Sequence, residues 1–348
     1  MRPRLLIIGS FRFYSIERHF AEFLGEEAFE VSRFDAQERF YGYYNKSIVN
    51  KIIFKMGWSG IYQSINKSLL EEFDAVRPDA VLVFKGMELF PETIDKMRSG
   101  GAVVINYNPD NPFLFSGKGS GNANITENLP KYDGHVTYDR DILERLSKEV
   151  KGKLLLLPFG YRYTENDYAK AVAAPEIARV CFVANADKHR AEFITRLADH
   201  VPVDVYGSWW KDFVNHKNVK AYPPVLAEEF WITLRKYRVQ LNLMRPHNPG
   251  SHNMRTFEVP GIGGILLAPD TIDHREYFTD GETIFLFDGV EACAGKVNQI
   301  LNMSDEEVRE FRERTQQWCV SQGYSYKDRA QQLGNFITSL LNEKNGAS

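Results

Sequence analysis

Short, wholly apolar runs alternate along the chain with longer segments whose apolar positions recur every third or fourth residue. A run apolar on both faces suits a strand buried inside a parallel sheet, and the 3.6-residue period suits the helix that covers it. Leu5–Ile8, Phe29–Phe34, Ala80–Phe84, Ala102–Ile105, Val136–Tyr138 and Leu154–Leu157 read as strands. Ile16–Leu24, Tyr41–Phe73 (with a break near Gly57 or Gly60), Pro91–Met97 and Ile142–Glu149 read as the helices between them. Pro158-Phe159-Gly160 and the stretch as far as Pro175 read as a connector, after which the alternation restarts. The later strands are Arg179–Val183, Val203–Tyr206, Val239–Leu243, Ile265–Ala268 and Ile284–Phe287. The later helices are Lys188–Asp199, Ala227–Tyr237 and Asn253–Val259. Ser304-Asp305-Glu306-Glu307 is a helix-start signal, and a last helix runs from about Lys327 to Leu341.

The pattern predicts an α/β protein with two doubly wound, Rossmann-like halves facing each other, and 348 residues is an ordinary length for two domains. In such sheets ligands bind beyond the carboxyl ends of the strands. That rule selects Gly9–Phe13, Lys85–Met87, Asn106–Asn111, Ala184–Arg190, Gly207–Lys211, Leu243–Glu258 and Pro269–Asp273.

The segment after Leu243 is the richest. Arg245 and Arg255 are suited to a diphosphate, Glu258 to ribose hydroxyls, and the helix expected at Asn253 to a phosphate at its amino end. Gly261, Gly263 and Gly264 permit close packing on the next strand. The competing reading is a polar surface loop followed by a buried helix.

Composition removes several classes. Lys plus Arg is 43 against 46 Asp plus Glu, a formal net charge of −3, which argues against a broad nucleic-acid surface. Cys181, Cys293 and Cys319 are widely spaced and odd in number, so neither a disulfide framework nor a metal-ligand spacing is expected, and a reducing cytoplasm fits. The apolar run near the start is too short for a signal-peptide core, and no stretch suits a membrane span. Basic and aromatic helical stretches leave peripheral membrane contact open. Gly9-Ser10-Phe11 lacks the dinucleotide fingerprint, and Ser116-Gly117-Lys118-Gly119-Ser120-Gly121-Asn122 lacks the order of a phosphate loop, so a mobile acceptor-side loop is expected there. Asp139-Arg140-Asp141 suits a helix cap better than a metal.

Four motifs occur in an order that resembles the C-terminal domain of CgeB-like glycosyltransferases, relatives of glycosyltransferase group 1. They are Cys181-Phe182-Val183-Ala184-Asn185 with Arg190; Val205-Tyr206-Gly207-Ser208-Trp209-Trp210; Arg255-Thr256-Phe257-Glu258 with Gly261 and Gly263-Gly264-Ile265-Leu266-Leu267; and Tyr277-Phe278-Thr279-Asp280-Gly281-Glu282. The resemblance spans about Arg179 to Leu341 and departs at Pro260, which shortens the helix. It implies a GT-B fold with a cleft between two Rossmann-like domains. These are an acceptor domain at 1–165, a donor domain at 176–325 and a C-terminal helix, 326–348, crossing back to the first. It implies transfer of a hexosyl or deoxyhexosyl group from a nucleotide diphosphate-sugar to a hydroxyl acceptor, such as a glycan, with no metal and no cofactor.

Asn185, Arg190, Gly207, Ser208, Trp209, Arg245, Asn253, Arg255, Thr256 and Glu258 would then hold the donor, with Gly207 letting the backbone approach the nucleotide. One of Trp209 and Trp210 is as well explained by core packing. Asp110 is the first candidate for the general base, although Asn108-Pro109-Asp110-Asn111-Pro112 is also a strong turn sequence. His252 is the runner-up. A sugar-binding protein without catalysis and a nucleotide-sugar epimerase are the alternatives that the fold alone leaves open.

Overall fold

The computed structural model describes residues 2–115, 121–244 and 250–346. The chain divides into two compact units, Met1–Pro158 with Tyr326–Ser348, and Phe159–Ser325.

The first unit is built on β1 (Arg4–Gly9), β2 (Glu30–Asp35), β3 (Ala80–Phe84), β4 (Val103–Tyr107), β5 (Gly134–Thr137) and β6 (Lys153–Leu156). All neighbours are parallel, in the order β2-β1-β3-β4-β5-β6. Leu5 to Ile8 and Ala80 to Phe84 are buried on both faces, as apolar runs without alternation require. The helices are α1 (Ile16–Glu27), α2 (Ala36–Tyr44), α3 (Ile48–Lys55), α4 (Ile61–Val76), α5 (Pro91–Ser99), α6 (Ala123–Asn128) and α7 (Arg140–Glu149). The helical region expected at Tyr41–Phe73 breaks between α3 and α4, around Gly57 and Gly60 as expected, and a second time between α2 and α3. Asp35 and Ser47 each accept a backbone N–H at the start of α2 and α3, which sets two of the boundaries. Asp139 caps α7 through Ile142 N, as its sequence suggests.

The second unit contains α8 (Glu165–Ala173), β7 (Ile177–Val183), α9 (Lys188–Ala198), β8 (Val203–Tyr206), α10 (Trp210–Phe213), β9 (Val219–Tyr222), α11 (Ala227–Lys236), β10 (Tyr237–Leu241), α12 (Arg255–Gly261), β11 (Leu266–Pro269), α13 (Ile272–Tyr277), β12 (Phe285–Phe287), α14 (Gly289–Leu301) and α15 (Asp305–Ser321). Its parallel sheet runs β12-β11-β10-β7-β8-β9. Helices α8, α10, α13 and α14 and strand β9 depart from the sequence reading, which has no element at any of them. The expected connector contains α8, which Thr164 and Asp167 start with a reciprocal capping box. The edge strand β9 is short and only half-buried, so it has no apolar run to betray it.

The last helix, α16 (Tyr326–Gly346), lies on the first unit, against α1 and near β4. A glycine on each side allows the close approach, Gly134 in β5 and Gly334 in α16. A Cβ on Gly134 would stand 2.9 Å from Leu340, and one on Gly334 would stand 3.3 Å from Leu24.

Candidate functional site

In the second unit the chain leaves β7 for β8 on one side and returns as β10 on the other. The switch point therefore lies at the carboxyl ends of β7 and β10, where a doubly wound sheet leaves a crevice. Arg255, from α12, donates through Nε to the carbonyl of Val183, the last residue of β7, at 3.2 Å. Its guanidinium stacks 4.5 Å above the ring centroid of Phe230 and pairs with Glu258 one turn on. The Arg255 side chain is 26% exposed and that of Glu258 only 8%. Burial pushes the Glu258 carboxyl up, and Arg255 opposes the shift. The structure thus brings Arg255 and Glu258 together at the switch point.

The helix that carries them starts at Arg255 rather than Asn253 and has seven residues, with Pro260 in its last turn. So short a helix has little dipole, and side-chain cations must supply most of the positive field. Thr256 is buried and anchors α12. Its Oγ1 receives Asn242 Nδ2 at 3.4 Å and the Asn253 N–H at 3.3 Å, and lies 2.9 Å from His274 Nε2. His274 Nδ1 lies 2.8 Å from the Pro269 carbonyl, which can only accept, so the proton sits on Nδ1 and Nε2 accepts from the Thr256 hydroxyl. Burial lowers the His274 pKa to about 4, which keeps the ring neutral. Asn253 donates to Asn242 Oδ1 at 2.8 Å. Thr256 and Asn253 therefore hold α12 against the end of β10.

His252 is a correction. The sequence makes it the runner-up base, in a polar loop, and the ring is buried. Nδ1 lies 2.6 Å from Asp273 Oδ2, and Nε2 accepts from the Phe159 N–H at 3.4 Å. Both nitrogens are engaged in holding the loop before α12.

The β7 and β8 ends interlock. Asn185 Oδ1 accepts the Ser208 N–H at 2.9 Å, and Arg190 donates to the Asn185 carbonyl at 3.2 Å. Gly207 has φ +150, and a Cβ there would stand 2.2 Å from the Ala184 carbonyl oxygen. The glycine is thus required by the chain's own backbone, a different reason from the approach of a nucleotide. Trp210 is the core member of its pair and donates to the same Ala184 carbonyl at 2.8 Å. Trp209 is 60% exposed and, with Tyr222, lines a shallow cavity of about 360 Å³. Arg245 lies outside the described residues, as do 116–120 of the expected acceptor-side loop.

In the first unit β3 ends in a turn with positive φ at Lys85 and Gly86. Lys85 reaches Asp110 Oδ2 at 2.9 Å, and the Asp110 side chain is 53% exposed. Asn108 Oδ1 accepts the Asp110 N–H at 3.0 Å, so the segment is also the turn its sequence suggests. Two carboxyls at this sheet end went unnoticed in the sequence. Glu17 accepts the Ser10 N–H at 3.4 Å, and burial raises its pKa to about 7. Glu88 is buried, and its pKa is raised for the same reason. Glu17 had a signal, since it falls on the apolar stripe of α1 with Phe20, Ala21 and Leu24. Glu88 had none. The supporting residues Asn242 and His274 are likewise unmarked by the sequence, and Asp273 falls in a selected strand-end segment without a role.

Residues 188–335 match the family described as Glycosyl transferase-like. The matched stretch covers the second unit from α9 onward and the first turns of α16. Structures similar to the whole chain have the GT-B fold. Sucrose-phosphate synthase from Thermosynechococcus elongatus has a TM-score of 0.70 at 12% identity, over 98% of this chain and 100% of its own. HepE from Anabaena, in complex with UDP-glucose, has a TM-score of 0.65 at 12% identity, over 97% and 100%. The α,α-trehalose 6-phosphate synthase from Burkholderia multivorans has a TM-score of 0.66 at 9% identity, over 100% and 98%. No curated protein matches the sequence. The family match indicates glycosyl transfer, and the shared fold is one that enzymes with this activity adopt.

Proposed function

We propose that this chain moves a sugar from a nucleotide diphosphate-sugar to a hydroxyl acceptor, with the donor held at the β7/β10 switch point of the second unit. The supporting observation is the Arg255–Glu258 pair seated on the last carbonyl of β7, with Asn185 and Ser208 on the adjoining loops and Arg190 in the first turn of α9. Arg255 and Arg190 neutralise the leaving diphosphate, so that no metal is required. Glu258 accepts from donor hydroxyls, and the exposed indole of Trp209 stacks on the base. Asp110, half-exposed in the turn after β4, is the candidate base of the first unit. We assign the chain to the CgeB-like branch on the order of its four motifs. We place it in the cytoplasm, where its three unpaired, buried cysteines stay reduced.

UDP-glucose is the first donor to try, because HepE holds it. Calorimetry should show Arg255→Ala weakening the best donor by about tenfold or more, the scale of a lost charge-assisted contact. Asp110→Asn should bind that donor normally and lose transfer. Equal donor affinity in Arg255→Ala and the parent would remove Arg255 from the site. Conversion of donor to an epimer without any acceptor would replace transfer by epimerisation.

A further inference from the structure

Helix α3 turns an apolar face to solvent. No residue of this helix is buried. It is held through Phe54, whose ring lies 4.9 Å from Phe40, 5.7 Å from Tyr44 and 5.6 Å from Tyr62. The opposite face is apolar and open to solvent. Ile48 is 75% exposed, Trp58 73%, and Val49, Ile52 and Met56 are each more than half exposed. At 3.6 residues per turn, Ile48, Val49, Ile52 and Met56 fall within about 100° of the circumference, with Lys51 and Lys55 along one border. A contiguous exposed apolar face of this kind marks an interaction surface.

Charge identifies the partner. Arg39, Lys46, Lys51, Lys55 and Lys67 lie in a stretch, 39–70, that contains no Asp or Glu, in a chain whose acids outnumber its bases. Lysines beside an exposed apolar helical face and a nearby exposed Trp are what a helix lying in the headgroup region of an anionic bilayer requires. The apolar side chains enter the acyl boundary while the lysines extend to lipid phosphates. No described helix is long and apolar enough to cross a membrane, so the contact is with one surface. We propose that α3 and Trp58 dock this protein on the surface of an anionic lipid bilayer.

The full chain is to be sedimented with phosphatidylcholine vesicles with and without phosphatidylglycerol. Binding only when the anionic lipid is present, and weakening with added salt, is expected. Lys51→Glu with Lys55→Glu should lower the vesicle-bound partition by about tenfold or more, and Ile52→Asp with Trp58→Ser by a similar factor. Circular dichroism of each variant should match that of the parent, since none of these four side chains is buried. Three results would overturn the proposal. The parent stays in the supernatant with both vesicles; the variants bind as the parent does; or the parent ignores vesicles and self-associates in a way that Ile52→Asp abolishes, which would make the face a contact between two copies of this chain.

Discussion

Glu17 places a carboxyl where the pattern of α1 calls for a hydrocarbon, and the consequence is measurable. Burial raises its pKa from 4.5 to about 7. Between those values the folded chain holds a proton that the unfolded chain has released, so stability falls as pH rises through this window. The contribution of the neutral form is complete below pH 4.5 and lost above about 7. A shift of this size corresponds to roughly 3–4 kcal/mol. Glu17→Gln keeps an acceptor for the Ser10 N–H and removes the charge. It should raise the melting temperature by several degrees at pH 8 and leave it nearly unchanged at pH 4. The same rise at both values would show that the ionised carboxyl is not the destabilising group. Gly207 makes the opposite case, of a residue fixed by its backbone. Gly207→Ala meets the Ala184 carbonyl oxygen and should cost about 2 kcal/mol or more in denaturant unfolding. The sequence marks Gly207 as special, but the neighbour that demands a glycine is separated from it by α9 and β8 and appears only in the fold.

At the scale of elements, strands were legible where both faces are buried. Leu5–Ile8 and Ala80–Phe84 have no alternative, because their apolar runs are too short for a helix and too continuous for a loop. The edge strand β9 and helix α8 were not legible. The first is half solvent-facing, and the second packs on α11, a partner far along the chain. Helix α12 falls between these cases. Its arginine, carboxylate and glycines are visible in the sequence, but its start depends on Thr256, whose hydroxyl is tied to residues before and after it. Thr256→Val keeps the shape and removes the hydroxyl, leaving His274 Nε2 and Asn242 Nδ2 without it as a partner. The loss should be about 1–3 kcal/mol in unfolding. Transfer should fall more than stability alone explains, because α12 aims Arg255. Thr256→Ser should restore both measures. Recovery of stability without recovery of turnover would separate Thr256 from the positioning of Arg255. The His274 link has its own pH signature. With its pKa lowered to about 4, its contribution is present above pH 6.5 and is lost as pH falls through 4, because protonated Nε2 can no longer accept.

At the scale of the whole molecule, the chain order and the folded units disagree. The first unit is interrupted by all of the second and is completed by α16. Leu333, Ile337, Leu340 and Leu341 are buried, and Tyr326 packs edge-on against Phe20 at 5.7 Å. Hydrophobic periodicity announces that α16 has an apolar face; it does not announce which sheet the face covers, since contacts between sequence-distant elements leave no local pattern. Removing residues 326–348 would uncover Phe20, Leu24 and Phe29 while leaving every residue of the second unit in place. The truncated chain should retain a cooperative transition for the second unit and show early, non-cooperative loss of the first, with dye binding to exposed apolar surface. Hydrogen exchange would locate the loss in β4 and β5, the strands that α16 packs against. Donor binding should survive the truncation, because Arg255, Glu258 and Arg190 all belong to the second unit. If donor affinity fell as steeply as the stability of the first unit, the site would depend on residues beyond the β7/β10 switch point.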